Sequence, residues 1–287
     1  MKYNGNEIPA RPLQLPPIDR TRNTEAEFKI DIMSVTPELV GSLKTTCLLI
    51  PQIELEQKYI AVLMGLMVRI YKIYDSFVFL MNHNRHEIAL LIGRSGGETA
   101  IDLTYLCSKM EKSDFDSFIK SSLSTGKKIY DEIEKDKKNN THNNIHDIMQ
   151  SGIVKEFNKV GYKIEDIDWS DRNCYGTIFD RAKKCGMERI YNYIFRNLSR
   201  MTHGNLSEFL EYHLILKDGL FYPNPNFALP QAASIEGFSI LVTHAAFQYA
   251  KVMAPGSEII GRLIKIYDWF RKMAELHETF FITNSTD

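Results

Sequence analysis

Apolar residues recur at three- and four-residue steps through most of the chain, the period that lays one face of an α-helix against a core. Over 54–81 they fall at Ile60, Leu63, Met64, Met67, Ile70, Tyr71, Tyr74, Phe77 and Val78, which predicts one long buried helix. The stretch 86–110 repeats the pattern with Ile88, Leu91, Ile92, Ile101, Leu103, Tyr105 and Leu106. Gly96 and Gly97 interrupt it, and a glycine pair in mid-helix implies close packing or a kink. Further helices are expected over 115–138, 145–160, 178–184, 187–202, 231–253 and 257–280. Between them, the polar run from Asn139 to Asn144 reads as a loop, as does the Asp-rich stretch before Thr177.

One interval departs from the helical period. Two short apolar runs, 212–216 and 220–222, flank Lys217, Asp218 and Gly219, which are turn residues, so a β-hairpin is expected there. Pro9, Pro12, Pro16 and Pro17 deny the beginning of the chain a helix or central strand. Residues 1–35 are therefore expected to form an extended arm, either disordered or lying on a neighbouring subunit, with at least part of it ordered by docking. The first helix should start at Thr36-Pro37-Glu38, with threonine as N-cap and proline at the first helical position. The resulting expectation is an all-α fold: residues 36–287 as a single multi-helix bundle of roughly eight helices with one small β-hairpin.

Composition adds constraints on partners. Hydrophobic residues make up 44% of the chain, enough for a sizeable core without staples. Thirty-five basic against 36 acidic residues leave a formal net charge of −1, so nucleic-acid or anionic-membrane binding by whole-molecule attraction is excluded and any RNA contact needs a local patch. The four cysteines, Cys47, Cys107, Cys174 and Cys185, show neither zinc-knuckle nor disulfide spacing, which fits a reducing compartment. No secretory signal is read at the N-terminus. The apolar stretches 59–81 and 232–254 are broken by Arg69, Lys72 and Asp75, and by Glu236, His244 and Lys251, so both read as core helices and not membrane spans. A cytoplasmic, soluble protein without a cofactor is expected.

The segment with the most chemistry is 193–205, Tyr-Ile-Phe-Arg196-Asn197-Leu-Ser199-Arg200-Met-Thr-His203-Gly-Asn. On a helix Arg196, Ser199 or Arg200, and His203 project from one face, and Gly204 suggests a C-terminus where the macrodipole favours an imidazolium. A histidine so placed can accept a proton from a ribose hydroxyl or give one to a leaving oxygen, while an arginine neutralises phosphate charge. The same spacing also fits a structural cluster in which Arg196 or Arg200 pairs with a buried acid. Other constellations are weaker: Glu211 and His213 lie too close to the hairpin for a helical ligand pair, His142 and His146 sit in a polar loop, and His244 reads as a core histidine. No P-loop, G-x-S-x-G or H-E-x-x-H motif occurs.

The pattern Arg196-Asn197-x5-His203 resembles the ribonuclease motif of the HEPN superfamily (higher eukaryotes and prokaryotes nucleotide-binding) at its longest usual spacing, with the extra Arg200 inside it. The chain also resembles a bacterial helical family of unknown function, through Arg94-Ser-Gly-Gly-Glu98-x-x-x-Asp102-Leu-x-Tyr105 and Leu198-Ser199-x-x-x-His203-Gly204, over residues 55 to 255. The HEPN resemblance implies an all-α fold and a metal-independent endoribonuclease acting on RNA. It also implies a homodimer joining two motif helices, and roles in toxin or antiphage defence systems. It makes Arg196 and His203 catalytic, Asn197 their orienting neighbour, and Arg200 and Glu98 supporting residues. Glu98 and Asp102 share a helical face and could pair with Arg196 or Arg200, while a structural ion pair is at least as good a reading for Glu98, with Arg94 as its local partner. Many helical proteins of that architecture are binding modules, so a non-catalytic module regulating a protein partner stands as the alternative.

Overall fold

Helix formation begins earlier than the proline-rich start implies. The computed structural model describes residues 12–141, 143–192 and 206–284. Its first helix, α1, runs Glu25–Thr46, capped by the Thr24 side chain, which accepts from the Glu27 amide at 3.3 Å while the Glu27 carboxylate accepts from the Thr24 hydroxyl at 2.9 Å. Pro37 therefore sits inside the helix, not at its first position. The carbonyl that a residue-37 amide would have bonded belongs to Met33, and the Thr36 hydroxyl donates to it at 2.9 Å. Thr36 thus repairs the gap that proline leaves instead of capping a helix. The extended arm shortens accordingly: residues 12–24 precede α1 and lie on their own chain. There the Trp269 indole donates to the Pro16 carbonyl at 2.8 Å, and Leu13, Leu15 and Ile18 pack on the core.

Helices α2 (Gln57–Asn82), α3 (His86–Lys109), α4 (Lys112–Lys138) and α5 (Asn144–Lys159) follow close to the expected intervals. Two 3-10 turns, Ile164–Asp166 and Trp169–Asn173, lead to α6 (Ile178–Lys184), which opens with a reciprocal cap between Thr177 and Asp180. Helical turns occur at Glu188–Ile190 and Leu206–Glu208, and the rest of the helix expected over 187–202 lies largely outside the described residues. A π-helical turn, Phe209–His213, leads into an antiparallel hairpin of β1 (Leu214–Lys217) and β2 (Leu220–Pro223). Asp218 at φ 52° and Gly219 at φ 77° form its two-residue turn, the left-handed conformation that suits strand twist. Two long helices close the fold, α7 (Ala232–Met253) and α8 (Ile259–Asn284). The protein is all-α with one small hairpin. Among the described residues no helix is long and apolar enough to cross a membrane.

The core lies where α3 is held between α2 and α7, with α1 and α8 against α7. Phe77 meets Phe238 edge-on at 4.8 Å, and the Tyr74 hydroxyl bonds Ser239 at 2.6 Å. Gly96 explains the glycine pair without a kink, since α3 runs unbroken through it. A Cβ there would stand 2.5 Å from Phe238 Cζ and 2.8 Å from Ile73 Cγ2, so only glycine lets α3 approach both neighbours. Two buried polar clamps tie α1 to the closing helices. Arg262 of α8 bonds the Glu38 carboxylate and, at 2.9 Å, the Ser42 hydroxyl. His277 of α8 lies between Glu25 of α1 at 2.8 Å and Glu236 of α7 at 3.1 Å.

Candidate functional site

Helix α3 presents the polar residues singled out in the sequence, and each is turned toward a different neighbour. Ser95 and Thr99 face α2, where their hydroxyls accept from Arg69 at 2.7 and 3.1 Å. Arg69 also lines an open groove of about 580 Å³ between α2 and α3, with Lys72, Ile73, Leu91 and Ile92. Asp102 faces α6, where it accepts from Arg181 Nε at 2.7 Å. Arg181 Nη1 donates to the carbonyls of Tyr175 and Gly176, and its guanidinium lies 4.1 Å from the centre of the Tyr175 ring. Burial pushes the Asp102 carboxyl up to about 6, against the opposing pull of Arg181. Tyr105, one turn on, donates to Asp114 at 2.6 Å and meets the Tyr175 ring edge-on. Among the described residues the buried Tyr175 hydroxyl has no hydrogen-bond partner.

Of the two partners the sequence offered Glu98, Arg94 is the one it meets, and the partner of Asp102 is Arg181. Asp102 is taken by Arg181, a residue the sequence reading did not single out, because the contact spans 79 positions. The legible signal was indirect: the Thr177-Ile-Phe-Asp180 cap fixes the start of α6 and so the face on which Arg181 projects. Glu98 pairs with Arg94, its neighbour one turn back, at 3.4 Å, and its side chain is 43% exposed. Arg196, Asn197, Arg200 and His203 lie outside the described residues, between the helical turns that end at Ile190 and begin at Leu206. Of the remaining histidines, His213 meets Glu208 at 3.3 Å. His244 lies beside Phe247, Leu263 and Tyr267 around a small apolar cavity, and burial lowers its pKa.

A family model described as a family of unknown function (DUF5677) matches residues 60–220, more than half of the chain. The chain belongs to the DUF5677 family. The matched segment runs from the start of α2 to the first residue of β2, so it contains the α3 cluster, the 193–205 segment and most of the hairpin. The DUF5677 match leaves out α1, α7 and α8, which supply the two buried clamps and the Phe238 ring against Gly96. No curated protein and no solved structure matches the chain.

Proposed function

We propose that this DUF5677 protein is a cytoplasmic, metal-independent endoribonuclease whose reacting groups are Arg196 and His203. What supports this reading is the Arg196-Asn197-x5-His203 pattern, together with one observation on the packing side, the commitment of Asp102. Its buried carboxylate, one of the two α3 acids that could have paired with a motif arginine, is bonded to Arg181. The all-α architecture agrees with the resemblance, and the family description itself supplies no activity.

In this reading neutral His203 takes the proton of a ribose 2′-hydroxyl and the 2′-oxygen attacks the adjacent phosphorus. The bond from phosphorus to the 5′-oxygen breaks, and the departing oxygen is protonated, leaving a 2′,3′-cyclic phosphate and a 5′-hydroxyl. Arg196 offsets the negative charge that builds on the phosphoryl oxygens, Asn197 orients the pair, and Arg200 offers a second phosphate contact. Glu98 acts at most through Arg94, the residue it meets.

The test is cleavage of a mixed RNA pool in EDTA by wild type, His203→Ala and Arg196→Ala, with circular dichroism confirming that both variants fold. Cleavage leaving cyclic-phosphate ends and lost in both variants is the expected result. Equal cleavage by the variants, or an intact pool with wild type, overturns the assignment. A regulatory interaction module is the second reading, favoured by the exposed apolar residues of the hairpin and by Ile145, Ile148 and Met149 on α5. An intact RNA pool would direct attention to it.

A further inference from the structure

The hairpin is the least self-sufficient part of the fold. A two-stranded sheet is marginal in water, and this one shows apolar side chains to solvent on both faces. Ile215 is 48% exposed, Leu216 63%, Leu220 61%, Phe221 56% and Tyr222 48%. With the flanking Leu206, Phe209 and Leu210, also exposed, and ~200 Å² per large side chain, the uncovered apolar area is about 800 Å².

The backbone shows which edge can take a further strand. Because the turn is the two residues Asp218 and Gly219, Lys217 and Leu220 form a hydrogen-bonded pair, and such pairs recur at every second residue. Ile215 and Tyr222 are the next, and His213 and Asn224 the one after, where the Asn224 amide donates to the His213 carbonyl at 2.8 Å. Leu214 and Leu216 of β1, and Phe221 and Pro223 of β2, therefore point their backbone groups outward. Pro223 has no amide, which blunts the outer edge of β2. The outer edge of β1 keeps both amides and both carbonyls, and among the described residues no third strand pairs with it.

We infer that β1 pairs antiparallel with β1 of a second copy of this chain, about a two-fold axis, giving a four-stranded sheet with the two β2 strands outermost. An antiparallel edge is self-complementary. Centred on Ile215, the pairing sets Leu214 of one copy opposite Leu216 of the other, and the two outward-facing residues of each strand exchange bonds. Leu216 and Phe221 then lie on one face in both copies and form a continuous apolar surface. Lys217 is the only ionised side chain in the two strands, so charge repulsion between copies is small. The inference deepens the ribonuclease reading, and only its consequence rests on that reading: the two 193–205 segments, which precede the hairpin in each chain, come into one assembly.

The test is the solution mass of the full chain across the micromolar range, by light scattering after size exclusion. Wild type should give twice the 33.2 kDa chain mass. Leu216→Pro removes an outward amide without touching the hairpin's own ladder, and should yield monomer with unchanged helical circular dichroism. Ile215→Asp should do the same by setting two like charges directly opposite each other on the two-fold axis, and keeps the test decisive if the proline disturbs the strand. Ile148→Asp, on the exposed face of α5, should remain dimeric. A monomeric wild type overturns the proposal, and so does a dimer that survives both hairpin variants. RNA cleavage in EDTA on the same samples separates the two ideas. A dimer that leaves RNA intact sinks the nuclease alone, whereas a cleaving wild-type monomer sinks the hairpin interface alone.

Discussion

The buried His277 should make the stability of this protein fall on the alkaline side of neutrality. Its side chain is 2% exposed, sits 4.6 Å from the Phe28 ring, and is bonded on both ring nitrogens to carboxylates, Glu25 and Glu236. Burial alone would lower its pKa, but the two carboxylates outweigh burial and raise it from 6.5 to about 9. At about 1.4 kcal/mol per pH unit, that rise corresponds to about 3 kcal/mol. Water reaches the Glu25 side chain, 39% exposed, and its screening brings the figure to ~2 kcal/mol. The sign follows from the raised pKa: the contribution is complete below pH 6.5 and disappears as pH climbs through about 9. Guanidinium unfolding of wild type and His277→Gln at neutral pH and again above pH 9 measures it. Wild type should lose ~2 kcal/mol more than the variant between the two conditions, because thiol and phenol titrations common to both proteins cancel in the difference. Parallel losses in the two proteins would refute the reasoning, since they would show that the imidazole is not held in its charged form.

Two further outcomes follow from the α3 cluster. Arg181→Met leaves the Asp102 carboxyl buried without its cation and should cost about 3 kcal/mol in chemical denaturation, whereas the double variant with Asp102→Leu should recover most of that, because an apolar pair replaces a buried ion pair at little net cost. A double variant as unstable as the single one would show that the loss comes from the Tyr175 and Gly176 carbonyls that Arg181 also serves. Gly96→Ala should destabilise by about 1–3 kcal/mol through overpacking, with partial rescue by Phe238→Leu, whose smaller side chain vacates the position nearest the new Cβ. Thermal melts showing Gly96→Ala as stable as wild type would mean that α3 and α7 can part without penalty.

How much of this was legible depended on the range of the interaction. The period of α2 carries its own answer, because every residue that defines the helix face lies within a turn of the next. The start of α1 was misread because a threonine before a proline satisfies the rule for a helix beginning, while the reciprocal cap formed by Thr24 and Glu27 lay outside the apolar pattern that drew attention. Gly96 was recognisable as unusual, but choosing between a kink and a close approach requires knowing that Phe238 faces it. The His277 clamp joins residues 252 and 41 positions apart, and none of its three members carries a local signature.

The two short motifs behind the family resemblance now separate physically. Along Arg94-Ser-Gly-Gly-Glu98-x-x-x-Asp102-Leu-x-Tyr105, Ser95 holds Arg69 of α2, Gly96 admits Phe238 of α7, Asp102 holds Arg181 of α6, and Tyr105 anchors Asp114 of α4. Four neighbouring helices thus meet α3 through this one stretch. Its residue types follow from packing, and Arg94 and Glu98 form a partly exposed ion pair within it. A motif so explained cannot also serve as evidence for chemistry. The weight of any catalytic claim therefore falls on Arg196 and His203, and the stability assays on α3 and the cleavage assays on 193–205 should respond to different substitutions. Arg181→Met tests the scaffold and His203→Ala tests the reaction. Loss of cleavage in a folded His203→Ala protein of unchanged stability is the one result that the packing account of α3 cannot produce.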